Sequence, residues 1–188
     1  MTDVSNAYQR QIKNRNFLAP TGFKLVVNRA PKVAFFSNGA NIPGITLGEA
    51  TQPTYLKDIP TPGDKIVFED FTIRFLVDED LKNYMELQKW IRGLGFPESL
   101  KEIYDLQDEE QFVKAKNSGL MNIFSDGTLT VLGSSNNALF KILYRDLWPY
   151  NLTTLQFDAT DTDVNYFTAE VSFKYTIYNI TDISGDAL

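Results

Sequence analysis

The chain of 188 residues is 43% apolar and 22% charged, and it contains no cysteine and no histidine. These values are typical of one soluble globular domain, residues 1–188, and they exclude disulfides, thiolate metal sites and any mechanism that needs a cysteine nucleophile or an imidazole base. The net charge of −6 argues against a dedicated nucleic-acid-binding protein.

The charge is unevenly spread along the chain. Residues 1–32 hold six basic residues against one acidic residue, a net charge of +5, which leaves −11 for the remainder. The first 16 residues are polar, have no signal-peptide pattern and predict a flexible N-terminal arm. The basic segment 1–32 is either half of a complementary contact between copies or a solvated tail. The sequence has no apolar run near the roughly 18 residues that a membrane span requires.

The first predicted strands are short. Phe23–Asn28 and Lys32–Phe36 read as strands separated by Pro31. Residues 38–62 hold four prolines and three glycines. Because proline cannot donate to a strand ladder, this segment is predicted to be an extended loop that reaches another surface.

A strand that leads into a helix is the clearest pattern of the first half. Ile66–Val77 alternates apolar and polar residues and predicts a strand. Asp78 is the predicted N-cap of the helix, with Gly93 or Gly95 as its stop. Acidic residues in the first turn and Lys89 and Arg92 in the last turn fit the helix dipole. The predicted apolar stripe comprises Leu81, Tyr84, Leu87, Ile91 and Leu94, flanked by Met85 and Trp90.

The second half is predicted to be mainly strand. A short surface helix is predicted over Asp108–Lys116, in a charged stretch after the main helix, and Ser125–Gly127 is predicted to be a hairpin turn. Strands are predicted over Leu139–Trp148 and Asn151–Asp158, with a break at Trp148-Pro149.

The last strand, Phe167–Ile177, alternates throughout, so one face meets a core and the other meets water or a polar neighbour. Its outward residues are Thr168, Glu170, Ser172, Lys174 and Thr176. The fold class is therefore mainly β, an antiparallel sandwich or barrel with one flanking helix.

Residues that could carry chemistry are sparse. The acidic run at residues 158–163 has neither the glycine nor the terminal glutamate of a calcium loop, so calcium binding there stays open beside a plain acidic hairpin loop. Phosphate-binding glycine patterns do not occur. We expect no enzymatic activity, no cofactor and no catalytic or metal site.

Three segments together resemble the tail tube proteins of contractile, T4-like phages. The first runs from Pro62 through Gly63-Asp64 and Phe71 to the helix that contains Trp90. The second is Leu147-Trp148-Pro149-Tyr-Asn, followed by Leu155-Gln-Phe-Asp and by Phe167–Tyr175, and the third is Ile42-Pro43-Gly-Ile45. The Leu-Trp-Pro element before the final strand is the most specific part, and the segments cover about two thirds of the chain.

The resemblance implies a structural virion protein of a contractile tail, assembled in the host cytoplasm. Six copies are expected to form a homo-hexameric ring, and rings to stack into an inner tube that conducts DNA and the tape-measure protein without specific binding. Sheath and baseplate proteins are the other implied partners. Arg10, Lys13, Arg15, Ile42, Pro43, Ile45 and Tyr55 are the candidate contacts between subunits or rings, and the outward face of the last strand is the candidate lumen wall.

Two other functions stay open. The longer basic N-terminus and the insertion at residues 95–127 also suit a related tube-initiator ring on the baseplate. A carbohydrate-binding or fibre-attachment module is the third reading, since aromatic residues make up 13% of the chain.

Overall fold

The computed structural model describes residues 17–108, 123–158 and 166–186. Its strands are β1 (Phe23–Val27), β2 (Ser37–Ala40), β3 (Ile45–Gln52), β4 (Ile59–Phe68), β5 (Phe71–Leu76), β6 (Ser125–Leu132), β7 (Ala138–Leu152), β8 (Thr168–Lys174) and β9 (Ile177–Thr181). Its helices are α1 (Pro31–Phe35), α2 (Lys82–Gly95) and α3 (Lys101–Asp108). Within these residues, no helix is long and apolar enough to cross a membrane.

Seven strands form one antiparallel sheet that bends at β7. The order is β1-β6-β7-β8-β5-β2, and β9 also pairs with β7. The first half of β7 pairs with β6 and β9, and its second half, Trp148–Leu152, pairs with β8. The strand therefore belongs to two layers, β1-β6-β7-β9 and β2-β5-β8-β7, which confirms the antiparallel sandwich or barrel.

The core lies between these two layers and α2. Phe71, Ile73 and Phe75 of β5 and Ala169, Val171 and Phe173 of β8 are fully buried, as strand alternation requires. Trp90 of α2 packs on Phe173 with 6.1 Å between the ring centroids. Its indole N–H donates to the Ile123 carbonyl at 2.9 Å, so the largest side chain of the core has its polar atom paired.

The main helix is confirmed, but its start and its buried face differ from the prediction. Asp78 is not the N-cap, because α2 begins at Lys82 after Leu81, whose φ of 56° is left-handed. Buried Asn83 organises this junction instead: its side chain accepts from the Asp78 N–H at 3.2 Å and donates to the Leu76 carbonyl at 2.8 Å. The fully buried positions of α2 are Asn83, Leu87, Trp90 and Gly93. The apolar stripe is thus rotated from the predicted one.

Two early strand predictions are wrong. Residues 32–35 lie in α1 and Phe36 is its C-cap, while Pro31 occupies a first helical position that needs no N–H donor. Ile66–Val77 is two strands rather than one, because β4 ends at Phe68 and β5 begins at Phe71 in a different sheet.

Three later boundaries also differ. The predicted turn at Ser125–Gly127 lies within β6. The pairing of β6 with β7 shifts register between Ser125 and Gly127 instead of forming a turn. The predicted break at Trp148-Pro149 lies inside β7, and residues 153–158 are not strand. The final run is β8 followed by β9, although the inward alternation of β8 is as predicted.

Two predictions, the surface helix and the N-terminal arm, concern residues that lie wholly or partly outside the described part of the chain. Of the predicted surface helix Asp108–Lys116, residues 109–116 lie outside the described part of the chain, and the described helix in this region is α3, Lys101–Asp108. The predicted flexible arm, residues 1–16, also lies outside it. The structure places residues 38–62 in most of β2, in β3 and in the first part of β4.

Substitution of Gly93 tests the contact between α2 and α3. A Cβ at Gly93 would lie 2.9 Å from Leu106 side-chain atoms of α3, so Gly93→Ala should lower the free energy of unfolding by about 1–3 kcal/mol. A Cβ at Gly95 meets nothing within 4 Å, so Gly95→Ala should be neutral or stabilising by up to about 1 kcal/mol. Denaturant midpoints of the two variants check this, and equal effects would contradict the packing described.

Candidate assembly surfaces

The outward side of β5 and β8 carries polar residues in register across the two strands. Thr72 lies opposite Ser172, and their hydroxyl oxygens are 3.3 Å apart. Arg74 lies opposite Glu170 in the same register. Together with Lys174 at the end of β8, these five residues form what we call the polar face. Cross-strand polar pairs of this kind suit a sheet surface that meets water.

The polar face continues onto the neighbouring elements. On the β2 side, the Arg74 Nε donates to the Asn38 side-chain oxygen at 3.1 Å. On the other side, the Glu170 N–H donates to the Thr153 hydroxyl at 2.8 Å. Its side chains are exposed or half-buried, so no described element covers this side of the sheet.

Asp70 connects one end of the polar face to the start of β5. Its carboxylate accepts hydrogen bonds from the Lys174 ammonium and the Tyr150 hydroxyl, and the Lys174 ammonium lies 5.0 Å from the Tyr150 ring centroid. The bond from Lys174, followed by the bond from Tyr150, holds the pKa of Asp70 below its ordinary value. Two cations and two anions, Arg74, Lys174, Asp70 and Glu170, therefore balance on this surface.

A two-stranded hairpin, β3-β4, stands apart from the seven-stranded sheet. It pairs only with itself among the described strands, and most of its residues are exposed. Its strands of eight and ten residues give it a reach of roughly 25–30 Å. A Cβ at Gly63 would lie 2.6 Å from the Gly48 carbonyl oxygen, so glycine permits the two strands to approach each other there.

Two tyrosines fix the root of this hairpin to the sheet. The Tyr178 hydroxyl donates to the Pro43 carbonyl at 3.1 Å and the Tyr175 hydroxyl to the Glu69 carbonyl at 2.8 Å, so both strands of the hairpin are held. Phe68 packs against both rings, with centroid distances of 5.6 Å to Tyr178 and 6.0 Å to Tyr175. Burial raises the pKa of Tyr175 to about 12, so its donor proton is retained at neutral pH.

The predicted contact residues lie in different environments. Ile42 and Ile45 are about half exposed, Pro43 is buried at the hairpin root, and Tyr55 is completely exposed at the tip. Arg10, Lys13 and Arg15 lie outside the described residues.

The residues of the family motif lie mainly in the sheet and the core. Gly63 and Asp64 are in β4, Phe71, Trp90 and Leu147 are in the core, and Trp148 and Pro149 continue β7. Of the predicted lumen residues, Thr168, Glu170, Ser172 and Lys174 lie on the outward side of β8, while Thr176 lies in the turn before β9, where its N–H donates to the Arg145 carbonyl.

Sequence reasoning missed Asp70, Tyr150, Tyr175 and Tyr178 as site residues. Tyr150 follows the Leu-Trp-Pro element directly, which was the one available signal for it. For the other three, the bonds from Lys174 to Asp70, from Tyr175 to Glu69 and from Tyr178 to Pro43 each join residues more than 100 positions apart in sequence.

The described residues offer little for metal chemistry. They contain no group of three or more acidic side chains that could hold a metal ion. Residues 159–163 of the acidic run lie outside them, so the choice between calcium binding and a plain acidic loop at 158–163 stays untested. The surfaces found here are suited to contacts with other chains.

A comparison with known protein families identifies the family of this chain. The family model described as "Phage tail tube protein" matches residues 4–181. The chain belongs to the phage tail tube protein family. No curated protein sequence matches the chain.

Solved structures share this tail tube fold at low sequence identity. A chain of the PVC extracellular contractile injection system, in its sheath-tube complex in the extended state, is 14% identical with a TM-score of 0.55, covering 97% of this chain and 100% of that chain. The tube terminating cap of the anti-feeding prophage is 12% identical with a TM-score of 0.55, covering 93% of this chain and 97% of that chain. The PVC sheath/tube terminator is 13% identical with a TM-score of 0.52, covering 89% of this chain and 99% of that chain.

Acid titration tests the ion pair at the edge of the polar face. Because the folded-state pKa of Asp70 lies below its ordinary value of 3.8, the pair contributes stability above that pH and loses it as pH falls through the lowered pKa. Asp70→Asn should lower the free energy of unfolding at pH 7 by at most about 1 kcal/mol, since solvent screens side chains that are 47% and 30% exposed. The difference in the free energy of unfolding between Asp70→Asn and the unmodified protein should vanish when the pH falls below the lowered pKa of Asp70.

Asp80→Asn is the matched control, because Asp80 pairs with Lys82 and these side chains are more exposed, at 62% and 60%. It should produce no measurable change in the denaturant midpoint at any pH. An equal response of the two variants would contradict a specific role for Asp70.

Hydrogen exchange tests the tyrosine contacts at the hairpin root. Tyr178→Phe removes the bond to the Pro43 carbonyl and should speed exchange of amides at the root, such as Glu69 N–H, by roughly 3- to 10-fold. Tyr104→Phe, at an exposed position of α3, should leave these amides unchanged. Exchange measured by mass spectrometry checks both, and unaltered root protection in Tyr178→Phe would contradict the fixation.

Proposed function

We propose that six copies of this chain close into a ring and that the rings stack into the inner tube of a contractile tail. The observation that carries this proposal is the polar face, which is a regular sheet surface that no described element covers. A monomer gains nothing from an ordered, charge-balanced sheet surface of this kind, whereas six copies placed side by side can join such surfaces into one wall.

The borders of the polar face support ring closure. Among the described strands, β2 pairs only with β5, and the second half of β7 pairs only with β8. Open strand edges promote pairing with another chain, and closure into a ring removes them. Pro149, which lacks an N–H donor, is tolerated on a strand with one open side. We therefore place the ring contact between β2 of one copy and the second half of β7 of the next.

The charge of the polar face suits a passage for DNA. Arg74 and Lys174 are balanced by Asp70 and Glu170, and the whole chain carries −6. Tight DNA binding needs clustered Lys and Arg that neutralise phosphates. A lumen formed by Thr168, Glu170, Ser172 and Lys174 therefore lets DNA and a tape-measure protein pass without retaining them.

Contacts beyond the ring are assigned to the remaining surfaces. The hairpin and the basic segment that holds Arg10, Lys13 and Arg15 are proposed to reach the adjacent ring. Two of the structural neighbours come from sheath-tube assemblies, which supports contact of this chain with a sheath protein. A chain of the anti-feeding prophage baseplate is also similar, at 8% identity and a TM-score of 0.51, which supports a baseplate contact.

A single ring at one end of the tube is the second candidate function. The similarity to the terminating cap equals the similarity to the chain from the sheath-tube complex, with a TM-score of 0.55 for each. The baseplate neighbour favours the same alternative in its tube-initiator form. Copy number separates the candidates, since a tube subunit occurs in many rings per particle and an initiator or terminator in one.

Electron microscopy of the purified protein tests the proposal directly. Hollow tubes or six-fold rings are expected at high protein concentration, with an inner wall free of DNA after nuclease treatment. A monodisperse monomer at the same concentration would overturn the ring assignment. Quantitative mass spectrometry of intact particles then supplies the copy number.

A further inference from the structure

Asn38-Gly39 lies in β2, beside the polar face, and is the only Asn-Gly pair in the chain. Neither the conformation nor the packing of β2 requires a glycine at this position. The φ of Gly39 lies outside the left-handed region, and a Cβ there would make ordinary contacts, 3.4–3.5 Å from Arg74 side-chain atoms. The chemical reactivity of the Asn-Gly pair, rather than its shape, therefore distinguishes this position.

An asparagine that precedes glycine loses ammonia by an intramolecular reaction. The glycine nitrogen attacks the side-chain carbonyl carbon Cγ, a new C–N bond forms, and the Cγ–Nδ2 bond breaks. Ammonia leaves with the proton of the glycine N–H, and the product is a succinimide ring. Water then opens either C–N bond of the ring, which gives aspartate or isoaspartate without any oxidation or reduction. Glycine favours the attack because no side chain obstructs it and the reacting atoms are already linked.

The fold exposes this pair on a weakly held strand. Asn38 is exposed, and the pairing of β2 with β5 shifts register between Ser37 and Gly39, so Asn38 has no partner of its own in β5. Among the described strands, β2 pairs only with β5, and it has four residues. A short edge strand opens locally at a low free-energy cost, and local opening frees the Gly39 nitrogen for the attack.

Arg74 of β5 contacts the carbonyl group that is attacked. Its Nε donates to the Asn38 Oδ1 at 3.1 Å. Negative charge develops on this oxygen when the Gly39 nitrogen bonds to Cγ. A cationic donor that is already in place stabilises that charge, so the Arg74 side chain speeds the first step.

Asn41 is also exposed but lacks these features. Its side chain accepts from the Thr72 N–H at 2.7 Å and donates to the Asp70 carbonyl at 3.0 Å, so its amide contacts neutral backbone groups. Ile42 follows it, and a β-branched side chain obstructs attack by the next backbone nitrogen. Asn41 is therefore an internal control for Asn38.

We propose that Asn38 is a site of spontaneous deamidation that removes unassembled copies from ring formation. This inference rests on the proposed function, in which β2 meets the second half of β7 of the next copy. Isoaspartate adds one carbon atom to the main chain of β2, so Gly39 and Ala40 lose their register with β5. The edge that the next copy must pair with is then irregular. Aspartate keeps the main chain and accepts from Arg74 through its carboxylate.

Ring closure protects the same residue. Once the next copy pairs with β2, Asn38 and Gly39 lie on a strand that is paired on both sides, and its local opening is suppressed. Isoaspartate therefore accumulates in free copies and is scarce in tubes.

Ageing of the purified full-length protein tests the site. The protein is kept at slightly alkaline pH and at a concentration too low for ring formation, and its peptides are analysed by mass spectrometry. Asn38 should show the mass gain of an NH₂ group replaced by OH, and Asn41 should show none. Absence of the gain at Asn38, or an equal gain at Asn41, would overturn the site.

Two variants test the chemistry in the same assay. Gly39→Ala should slow the mass gain at Asn38 several-fold while keeping the fold, because the added Cβ has room. Arg74→Gln should also slow the gain, because it removes the cationic donor to Oδ1. A gain as fast as in the unmodified protein would overturn the role of the altered residue.

Tube growth from fresh and aged protein tests the consequence. Fresh unmodified protein, Gly39→Ala and Asn38→Asp should all form tubes, since each keeps the main chain of β2. The aged unmodified protein should lose tube-forming copies in proportion to its isoaspartate content, whereas aged Gly39→Ala should keep them. Isoaspartate in tubes at the same fraction as in free copies would overturn the exclusion.

Ring formation by the fresh protein separates this inference from the proposed function. If the fresh protein forms no rings, the proposed function fails, and the mass gain at Asn38 still measures the deamidation. If aged protein rich in isoaspartate forms rings as well as fresh protein does, the proposed function stands and the effect of deamidation on assembly is overturned.

Discussion

The continuity of β7 through Trp148-Pro149 is the constraint on which the rest of the structure depends. One strand supplies the partner of β6 and β9 in its first half and the partner of β8 in its second half. The register shift between Pro149 and Asn151 provides the local bend that such a corner needs. If β7 ended at Pro149, β8 would lose much of its pairing with β7, which joins it to the β1-β6-β7-β9 layer. The rings of Phe71 and Phe173 would then lose the core that lies between the two layers.

Next to the bend in β7, the apolar residues of the sheet face the core and the polar residues face outward. Once Phe173 and Val171 point into the core, strand alternation sends Ser172 and Lys174 outward. Lys174 then reaches Asp70, which lies in the short link between hairpin and β5. The polar face and the root of the hairpin are therefore built from adjacent residues, and the direction of the hairpin depends on the packing of β8 and β9 through Tyr175 and Tyr178.

The spacing of apolar residues in the sequence predicted the strands and helices whose buried positions recur at regular intervals. It failed where contacts with residues far along the chain determine the structure. The inward phase of β8 and the existence of α2 follow from spacing alone. The start of α2 does not, because buried Asn83, rather than Asp78, satisfies the backbone at the junction. Proline was read as a break at both Pro31 and Pro149, whereas one begins a helix and the other continues a strand. The contacts of Asp70, Tyr175 and Tyr178 span about 100 residues or more, so sequence spacing could not indicate them.

Aromatic content alone could not separate buried rings from exposed rings, because Phe71 and Phe35 look alike in sequence while one is fully buried and the other is largely exposed. Their positions in the fold carry the distinction. In the proposed function, a stack of identical rings whose two faces differ has no internal limit, since each added ring presents the same free face again. If the proposed stacking holds, tube length must come from another molecule that covers one face of the last ring or that spans the lumen, and a dedicated terminal ring needs only one of the two faces intact.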